Sequence, residues 1–333
     1  MPLSASIRTV ESHTEGMPTR IVVDGAPSIA GDSMRERRIW AAENLNGFRN
    51  MLMREPRGHP AMFGAVLLPA TRPDADFGVL FMSASGFLPM CGHATMGVAT
   101  VVVEEGMVEA TEPVTEVRLE VPTGLAVAKV SVLAGKVGPV TITGVRSFVT
   151  VREAVIEVAD IGSVAVDVAY GGNFYAIVDT ARLGVPLEFD HRERLTSIGL
   201  AVLDAVRAQL PIEHPTDPAV GELKAVLLAR AAGTAGPARN MVVKEPRYFD
   251  RSPCGTGTSA RMALLHSRGE LSLDEPFMHE SLLGTRFQGR LVGTTQVGPI
   301  PAVIPEITGR AWITGSAEYT LDPDDPFPAG FAT

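Results

Sequence analysis

The sequence predicts an α+β protein, mostly antiparallel sheet with a few long helices. Three observations predict it. Short β-branched or alternating runs recur along most of the 333 residues. Helical periodicity is confined to a few segments. Two of those segments follow the only two cysteines, in closely similar surroundings.

The strand-like runs come first. Ile7 to Glu11, Arg20 to Val23, Phe63 to Leu68 and Phe77 to Met82 read as strands, as do Val117 to Val121, Leu125 to Val132, Val137 to Thr143 and Val164 to Ala169. Phe174 to Val178, Lys224 to Leu228 and Asn240 to Val243 follow, and Arg286 to Leu321 is strand-like with turn residues between its runs. Asp32 can cap a helix running to about Arg54, with Met34, Ile39, Trp40, Leu45 and Phe48 as its apolar positions. His191 to Gln209 reads as a second helix, through Leu195, Ile198, Leu200, Leu203 and Val206.

Composition narrows the function classes. Hydrophobic residues at 45% and charged residues at 20% are ordinary for a globular chain long enough for one large or two medium domains. A net charge of −9 argues against nucleic-acid or anionic-membrane partners, which need a basic face. Met1 to Gly16 carries Glu11 and Glu15 without a long apolar run, so it does not read as a secretory signal, and no run approaches a membrane span. A cytoplasmic address is the default expectation. In that reducing setting a disulfide between Cys91 and Cys254 is not expected. The seven histidines show no ligand spacing that would complete a zinc site, so no metal is expected. Nothing requires a cofactor either: the four lysines, Lys129, Lys136, Lys224 and Lys244, lack a Gly-rich setting, and Gly255-Thr256-Gly257 lacks the Lys-Ser/Thr ending of a phosphate loop.

The two cysteines sit in an internal echo. One segment reads Pro89-Met90-Cys91-Gly92-His93-Ala94-Thr95-Met96-Gly97, the other Ser252-Pro253-Cys254-Gly255-Thr256-Gly257-Thr258-Ser259-Ala260. Gly follows each Cys, Thr stands at the same later position, and each helical pattern stops at an equivalent Gly, Gly106 or Gly269. The plain reading of a free Cys is a small buried hydrophobe. The echo favours another: two similar half-structures, each starting a helix at a thiol. A helix N-terminus stabilises a thiolate and draws the thiol below its free value of about 8.5. Two such helix starts could share one carboxylate, placing an amino or hydroxy acid with its α-carbon between the sulfurs. Removing an α-proton puts charge on that carboxylate, and the helix termini would stabilise it. One thiolate would take the proton and the other thiol would return one on the opposite face.

At these residues the sequence resembles the proline racemase family, which includes proline racemases, hydroxyproline epimerases and 3-hydroxyproline dehydratases. The resemblance covers nearly the whole chain. It is carried by Met90-Cys91-Gly92-His93 and by Asp250-Arg251-Ser252-Pro253-Cys254-Gly255-Thr256-Gly257-Thr258-Ser259-Ala260. It is carried also by the segments from Ser12 to Arg20, Glu55 to His59, Gly171 to Phe174 and His279 to Ser281.

The resemblance implies two pseudo-symmetric lobes, each a mostly antiparallel sheet wrapped around a central helix as in diaminopimelate epimerase, with the site in the cleft between them. We expect residues 1–122, completed by 294–333, to form the lobe carrying Cys91, and residues 123–293 the lobe carrying Cys254. It implies that Cys91 and Cys254 are the proton acceptor and donor, that Gly92, His93, Gly255 and Thr256 bind substrate, and that Asp250 meets its amine. His93 could instead bond only backbone, and Asp250 could only cap a turn. His13, Glu15 and Arg20 read as structural, and Trp40 and Trp312 as packing.

Dehydratase members carry Thr in place of the second Cys, so Cys254 favours inversion over dehydration. The run Ala169 to Ala176 is more similar to the hydroxyproline epimerases than to proline racemase, so 4-hydroxyproline is the expected substrate and proline the alternative. A trans-3-hydroxyproline dehydratase, or an amino-acid-binding protein on a decayed scaffold, are further alternatives. Lys224 falls where epimerase relatives carry a His, and would alter preference if it entered the site. A small-molecule substrate is the only partner implied, with a homodimer left open.

Overall fold

The computed structural model describes residues 6–217, 220–234, 236–245, 247–322 and 324–332. The chain packs as two compact units, Met1–Ile142 with Gly309–Thr333, and Thr143–Thr308.

The first unit runs β1 (Ile7–Thr14), β2 (Met17–Asp24), α1 (Met34–Asn44), α2 (Asn46–Met53), β3 (Phe63–Leu68), β4 (Phe77–Ser83), β5 (Phe87–Leu88), α3 (Gly92–Glu104), β6 (Val114–Val121), β7 (Gly124–Leu133) and β8 (Lys136–Thr143). The second runs β9 (Ser147–Val158), β10 (Gly162–Tyr170), β11 (Phe174–Asp179), α4 (Arg192–Gln209), β12 (Leu223–Arg230), β13 (Ala238–Lys244), β14 (Tyr248–Phe249), α5 (Gly255–Ser267), β15 (Phe277–Glu280), β16 (Arg286–Val297) and β17 (Ile300–Gly309). Strand β18 (Ala311–Tyr319) returns to the first unit.

In the first unit β1 lies between β18 and β2, antiparallel to both. The sheet continues through β3, β4, β6, β7 and β8, with β2–β3 and β4–β6 parallel and the other neighbours antiparallel. Helix α3 packs against β1, β2, β3, β7 and β18 and is buried from Gly92 to Val103. A helix apolar on all sides is stable only where sheet covers all sides. On the other face of β3 and β4, Val66, Leu80 and Met82 meet Met34, Ala41, Phe48 and Leu52 of α1 and α2.

In the second unit the pairings close on themselves. β9 pairs with β10, β10 with β11, β11 with β12 and β12 with β13. β13 then pairs with β15, β15 with β16, β16 with β17, and β17 returns to β9. Helix α5 packs against β9, β10, β11 and β16. Strand β12 is sandwiched: Val226 and Leu228 face Leu195, Val202, Leu203 and Val206 of α4, whereas Ala225, Leu227 and Ala229 join Cys254, Ala260 and Leu264. Burial on both faces explains its unbroken apolar run.

One expected helix differs, and one strand, β9, lies outside the expected runs. The helix from Asp32 to Arg54 is two helices, because Leu45 (φ −115°, ψ 20°) leaves the helical region. Its N-cap is Ser33, whose Oγ accepts from the Glu36 N–H at 3.2 Å, while Glu36 reaches back to the Asp32 N–H at 2.8 Å; Ile39 is exposed. Strand β9 has no clear period in the sequence because its pairing with β10 is bulged, with register shifts at Val168 and Glu153 at φ 48°. Finally, Pro122 lies in the hairpin turn between β6 and β7, and Gly293 at a register shift inside β16, while the chain passes between units at 142/143 and 308/309.

Candidate active site

In the first unit Cys91 is the N-cap of α3, extended at φ −149° and ψ 106°, and its side chain does not cap the helix. Thr95 closes the first turn, donating to the Cys91 carbonyl from N–H at 2.9 Å and from Oγ1 at 2.8 Å. The sulfur lies 3.5 Å from His93 Nδ1 and 3.7 Å from Nε2. The His93 ring is buried and meets Phe63 edge-on at 4.7 Å, while its backbone carbonyl accepts from Thr14 Oγ1 at 2.8 Å.

The segment from Ser12 to Arg20 holds this helix. Strand alternation turns Ser12 and Thr14 towards α3, and Gly97 permits the approach, since a Cβ there would lie 3.1 Å from Ser12 Oγ. His13 faces the other way and stacks on Trp312 at 5.1 Å. Glu15 (φ 47°) and Gly16 (φ 94°) make the turn between β1 and β2. Arg20 pairs with Glu11 at 2.8 Å and donates to the carbonyl of Arg57 at 2.7 Å. Arg57 in turn pairs with Asp325.

In the second unit Cys254 is the N-cap of α5, at φ 61° and ψ 105°. A non-glycine residue there is strained by roughly 1–3 kcal/mol and persists only where its surroundings fix it. They do so from both sides. Asp250 Oδ1 accepts from the Ser252 N–H at 3.0 Å and from Ser252 Oγ at 2.8 Å, and Ser252 Oγ accepts from the Cys254 N–H at 3.1 Å. The Pro253 carbonyl accepts from Asn240 Nδ2 at 2.7 Å and from Thr258 Oγ1 at 3.2 Å. Both groups also contact the buried ring of His279, whose Nδ1 lies 3.0 Å from Asn240 Nδ2 and 2.9 Å from Thr258 Oγ1. Burial, and secondarily Arg261, push the His279 imidazole down to about 3, so it is neutral near pH 7.

The Cys254 sulfur has polar neighbours that the sequence reading did not single out. Tyr175 Oη lies 3.4 Å from it and 2.6 Å from Thr256 Oγ1, which is itself 3.7 Å from the sulfur. Lys244 Nζ stands 3.7 Å from Asp250 Oδ2. Burial, joined by the Asp250 charge, pushes the Cys254 thiol up, contrary to the lowering expected at a helix start; the Lys244 charge, the Tyr175 hydroxyl and the Gly257 N–H work against that rise. Burial opposes the Lys244 charge too, but Cys254, Tyr175, Tyr248 and Asp250 together outweigh it and raise this ammonium well above the ordinary lysine range. Lys224, on the opposite face of β12 from Ala225, is exposed and paired with Glu222.

The Gly171–Gly172 pair meets the start of α5. A Cβ on Gly171 would fall 2.2 Å from the Thr256 carbonyl and 2.6 Å from the Ala260 nitrogen; one on Gly172, at φ 113°, would lie 2.8 Å from Thr256 Cγ2. The glycines therefore allow β10 and β11 to seat against the turn bearing the thiol, and the next residue but two is Tyr175. That position one residue beyond the Gly-Gly-Asn-Phe run was the available signal for Tyr175. For Lys244 there was none, because nothing in a strand end predicts which buried carboxylate it will meet.

Each unit thus holds one set of the anticipated residues: Cys91 with Gly92 and His93, and Cys254 with Asp250, Gly255 and Thr256. Both helices have 13 residues and end before a glycine of positive φ, Gly106 at 69° and Gly269 at 73°. Among the described residues no group of three or more His, Cys, Asp or Glu is placed to hold a metal ion, and no helix is long and apolar enough to cross a membrane.

Comparison with known proteins places these features. The profile described as proline racemase matches residues 9–332. The chain is 53% identical over 322 residues to a 4-hydroxyproline 2-epimerase of Streptosporangium roseum, covering 97% of each chain. It is 42% identical over 336 residues to a proline racemase of Acetoanaerobium sticklandii, covering 99% of each. The crystal structure of a hydroxyproline epimerase from Agrobacterium vitis, with trans-4-hydroxy-L-proline bound, superposes with a TM-score of 0.92 at 33% identity, over 100% of this chain and 97% of that one.

Proposed function

The chain belongs to the proline racemase family, and from that premise we propose that it is a 4-hydroxyproline 2-epimerase, an isomerase that inverts the α-carbon with two thiols and no cofactor. The observation that carries the two-thiol reading is the repeated N-cap: each unit begins a 13-residue buried helix at its one cysteine. We read the units as two copies of one plan, related as the pseudo-symmetric halves of diaminopimelate epimerase are.

The chemistry follows from the residues. An α-helix leaves its first N–H groups without intrahelical partners, and the short residues Gly92 and Gly255 leave them open to a carboxylate. Charge that builds on the carboxylate as the α-proton departs is stabilised there. One cysteine, as thiolate, takes that proton, breaking Cα–H and forming S–H. The other, as thiol, delivers its proton to the opposite face of Cα. The product has inverted configuration and the two thiols have exchanged protonation states. Among the described residues Asp250 Oδ2, 3.7 Å from Lys244 Nζ, receives no hydrogen bond, which suits it to accept one from the ring ammonium. His93 and Thr256, each beside one sulfur, complete the polar lining. Two free thiols suit a reducing compartment, and a cytoplasmic setting is part of this reading.

Similarity is greater to the epimerase (53%) than to the proline racemase (42%), which favours the hydroxylated substrate. Purified protein incubated with trans-4-hydroxy-L-proline in D2O tests the reading by chiral chromatography. Formation of cis-4-hydroxy-D-proline with deuterium at Cα supports it. Efficient inversion of L-proline with none of the hydroxyproline would make it a proline racemase, and dehydration of trans-3-hydroxy-L-proline alone would overturn both.

A further inference from the structure

Inversion by two thiols requires Cys254 to be stable both as thiolate and as thiol, because its proton changes hands in every turnover. A buried sulfur favours the thiol, so the thiolate needs a partner that can supply a hydrogen bond and then withdraw it. Of the two hydroxyls beside this sulfur, Tyr175 Oη at 3.4 Å and Thr256 Oγ1 at 3.7 Å, the phenol is the nearer and can do both. Tyr175 is fully buried, and its hydroxyl lies between Cys254 Sγ at 3.4 Å and Thr256 Oγ1 at 2.6 Å.

A phenol has one proton to donate and lone pairs to accept. Between these two neighbours it has two complete arrangements. With Cys254 as thiolate, Tyr175 donates to the sulfur and accepts from the Thr256 hydroxyl. With Cys254 as thiol, its S–H donates to Tyr175 Oη, Tyr175 donates to Thr256 Oγ1, and the Thr256 O–H turns away from the phenol. No proton leaves the Tyr175–Thr256 pair in either direction; only the O–H bonds rotate. The phenol itself is unsuited to ionise, since burial, and then the neighbouring Cys254, raise it well above the ordinary tyrosine range.

We propose that Tyr175 is a positioning residue for the second thiol, a reversible hydrogen-bond switch that turns between Cys254 and Thr256 as the sulfur changes protonation state. This rests on the two-thiol reading for its purpose but not for its test. The charged and titratable groups around the switch are Lys244, Tyr248 and Asp250, and they are left intact by it. Backbone constraints hold the phenol in place: β11 is paired on both sides, and the Gly171–Gly172 approach fixes the end of the strand against α5.

The test is the pH dependence of iodoacetamide alkylation, followed separately for the Cys254 and Cys91 peptides by mass spectrometry. In Tyr175→Phe the midpoint for Cys254 should rise by about one pH unit, with a roughly tenfold slower reaction below it, while the Cys91 midpoint stays in place. Full-length protein made with 3-fluorotyrosine, whose more acidic phenol is a stronger donor, should move the Cys254 midpoint the other way without altering any packing volume by more than a fluorine. A Cys254 midpoint unmoved by both changes would overturn the proposal. So would equal shifts at both cysteines, which would mark a general structural effect. Failure of the epimerase reading would instead appear as absent Cα deuterium exchange in the unmodified protein, with these alkylation profiles unaffected.

Discussion

Lys244 Nζ lies 3.7 Å from Asp250 Oδ2, while the other oxygen of the same carboxylate accepts both hydrogen bonds from Ser252. One carboxylate therefore divides its work. Oδ1 fixes the backbone that presents Cys254 at positive φ, and Oδ2 faces a charge and keeps its hydrogen-bonding capacity.

That division predicts different consequences for two substitutions. Asp250→Asn retains an amide oxygen for Ser252 and removes the charge, so the protein should fold with a loss of about 1–3 kcal/mol. Turnover should fall by roughly 10- to 10²-fold, corresponding to about 1.5–3 kcal/mol for losing one hydrogen bond to a charged group. Asp250→Ala removes both functions and should be less stable again. Denaturant titration and the deuterium-exchange assay on both variants check this; equal stability of the two would contradict the role given to Oδ1.

Gly171 and Gly47 make a matched pair for the glycine argument. Gly171→Ala must push Cβ into the backbone of Thr256 and Ala260, so it should cost about 1–3 kcal/mol or more and disturb turnover with it. Gly47 lies within α2 with nothing inside 4 Å of its Cβ position, so Gly47→Ala should stabilise by about 0.5–1 kcal/mol and leave turnover unchanged. Thermal melts beside steady-state rates separate the two outcomes.

His279 predicts acid lability. Its imidazole stays neutral in the folded protein down to about pH 3, whereas in the unfolded chain it takes a proton near 6.5. Below 6.5 the unfolded state therefore binds more protons, and stability falls as pH falls, approaching about 1.4 kcal/mol per pH unit until pH 3. Above 6.5 the contribution is fully present and flat. His279→Gln, an amide that can still bond Asn240 or Thr258, should be less stable at pH 8 yet show a shallower decline between pH 6 and 4. Urea midpoints across that range measure it, and parallel slopes in both proteins would refute it.

Lys224→Ala should change neither turnover nor the preference between proline and hydroxyproline. Its ammonium is half exposed and paired only on the surface with Glu222, an arrangement that contributes about 0–1 kcal/mol. A changed ratio of rates on the two substrates would show that Lys224 reaches the substrate after all. Lys244→Met is the contrasting variant, expected to raise the pH at which Cys254 becomes reactive.

Much of this protein is written in local sequence. Alternation located strands such as Val114–Val121 and continuous apolar runs located others such as Phe63–Leu68, 3.6-period apolar positions located α4, and a small-residue run after each cysteine located the starts of α3 and α5. These depend on nearest neighbours along the chain, so the chain alone determines them. The pairing of β9, bulged and aperiodic, was not legible, because its register is set by β10 and β17. The thiols at the two helix starts were likewise found from sequence, but the state of Cys254 was not. Its strained backbone, Asp250's divided carboxylate, the neutral His279, and the approach of Tyr175 and Lys244 all join residues far apart in the chain. Burial and long-range partners, which no local pattern encodes, decide whether that sulfur carries a proton. Tertiary structure also set Lys244 on the Cys254 face of the sheet with Val242, and Lys224 on the α4 face with Val226, at the exposed start of β12.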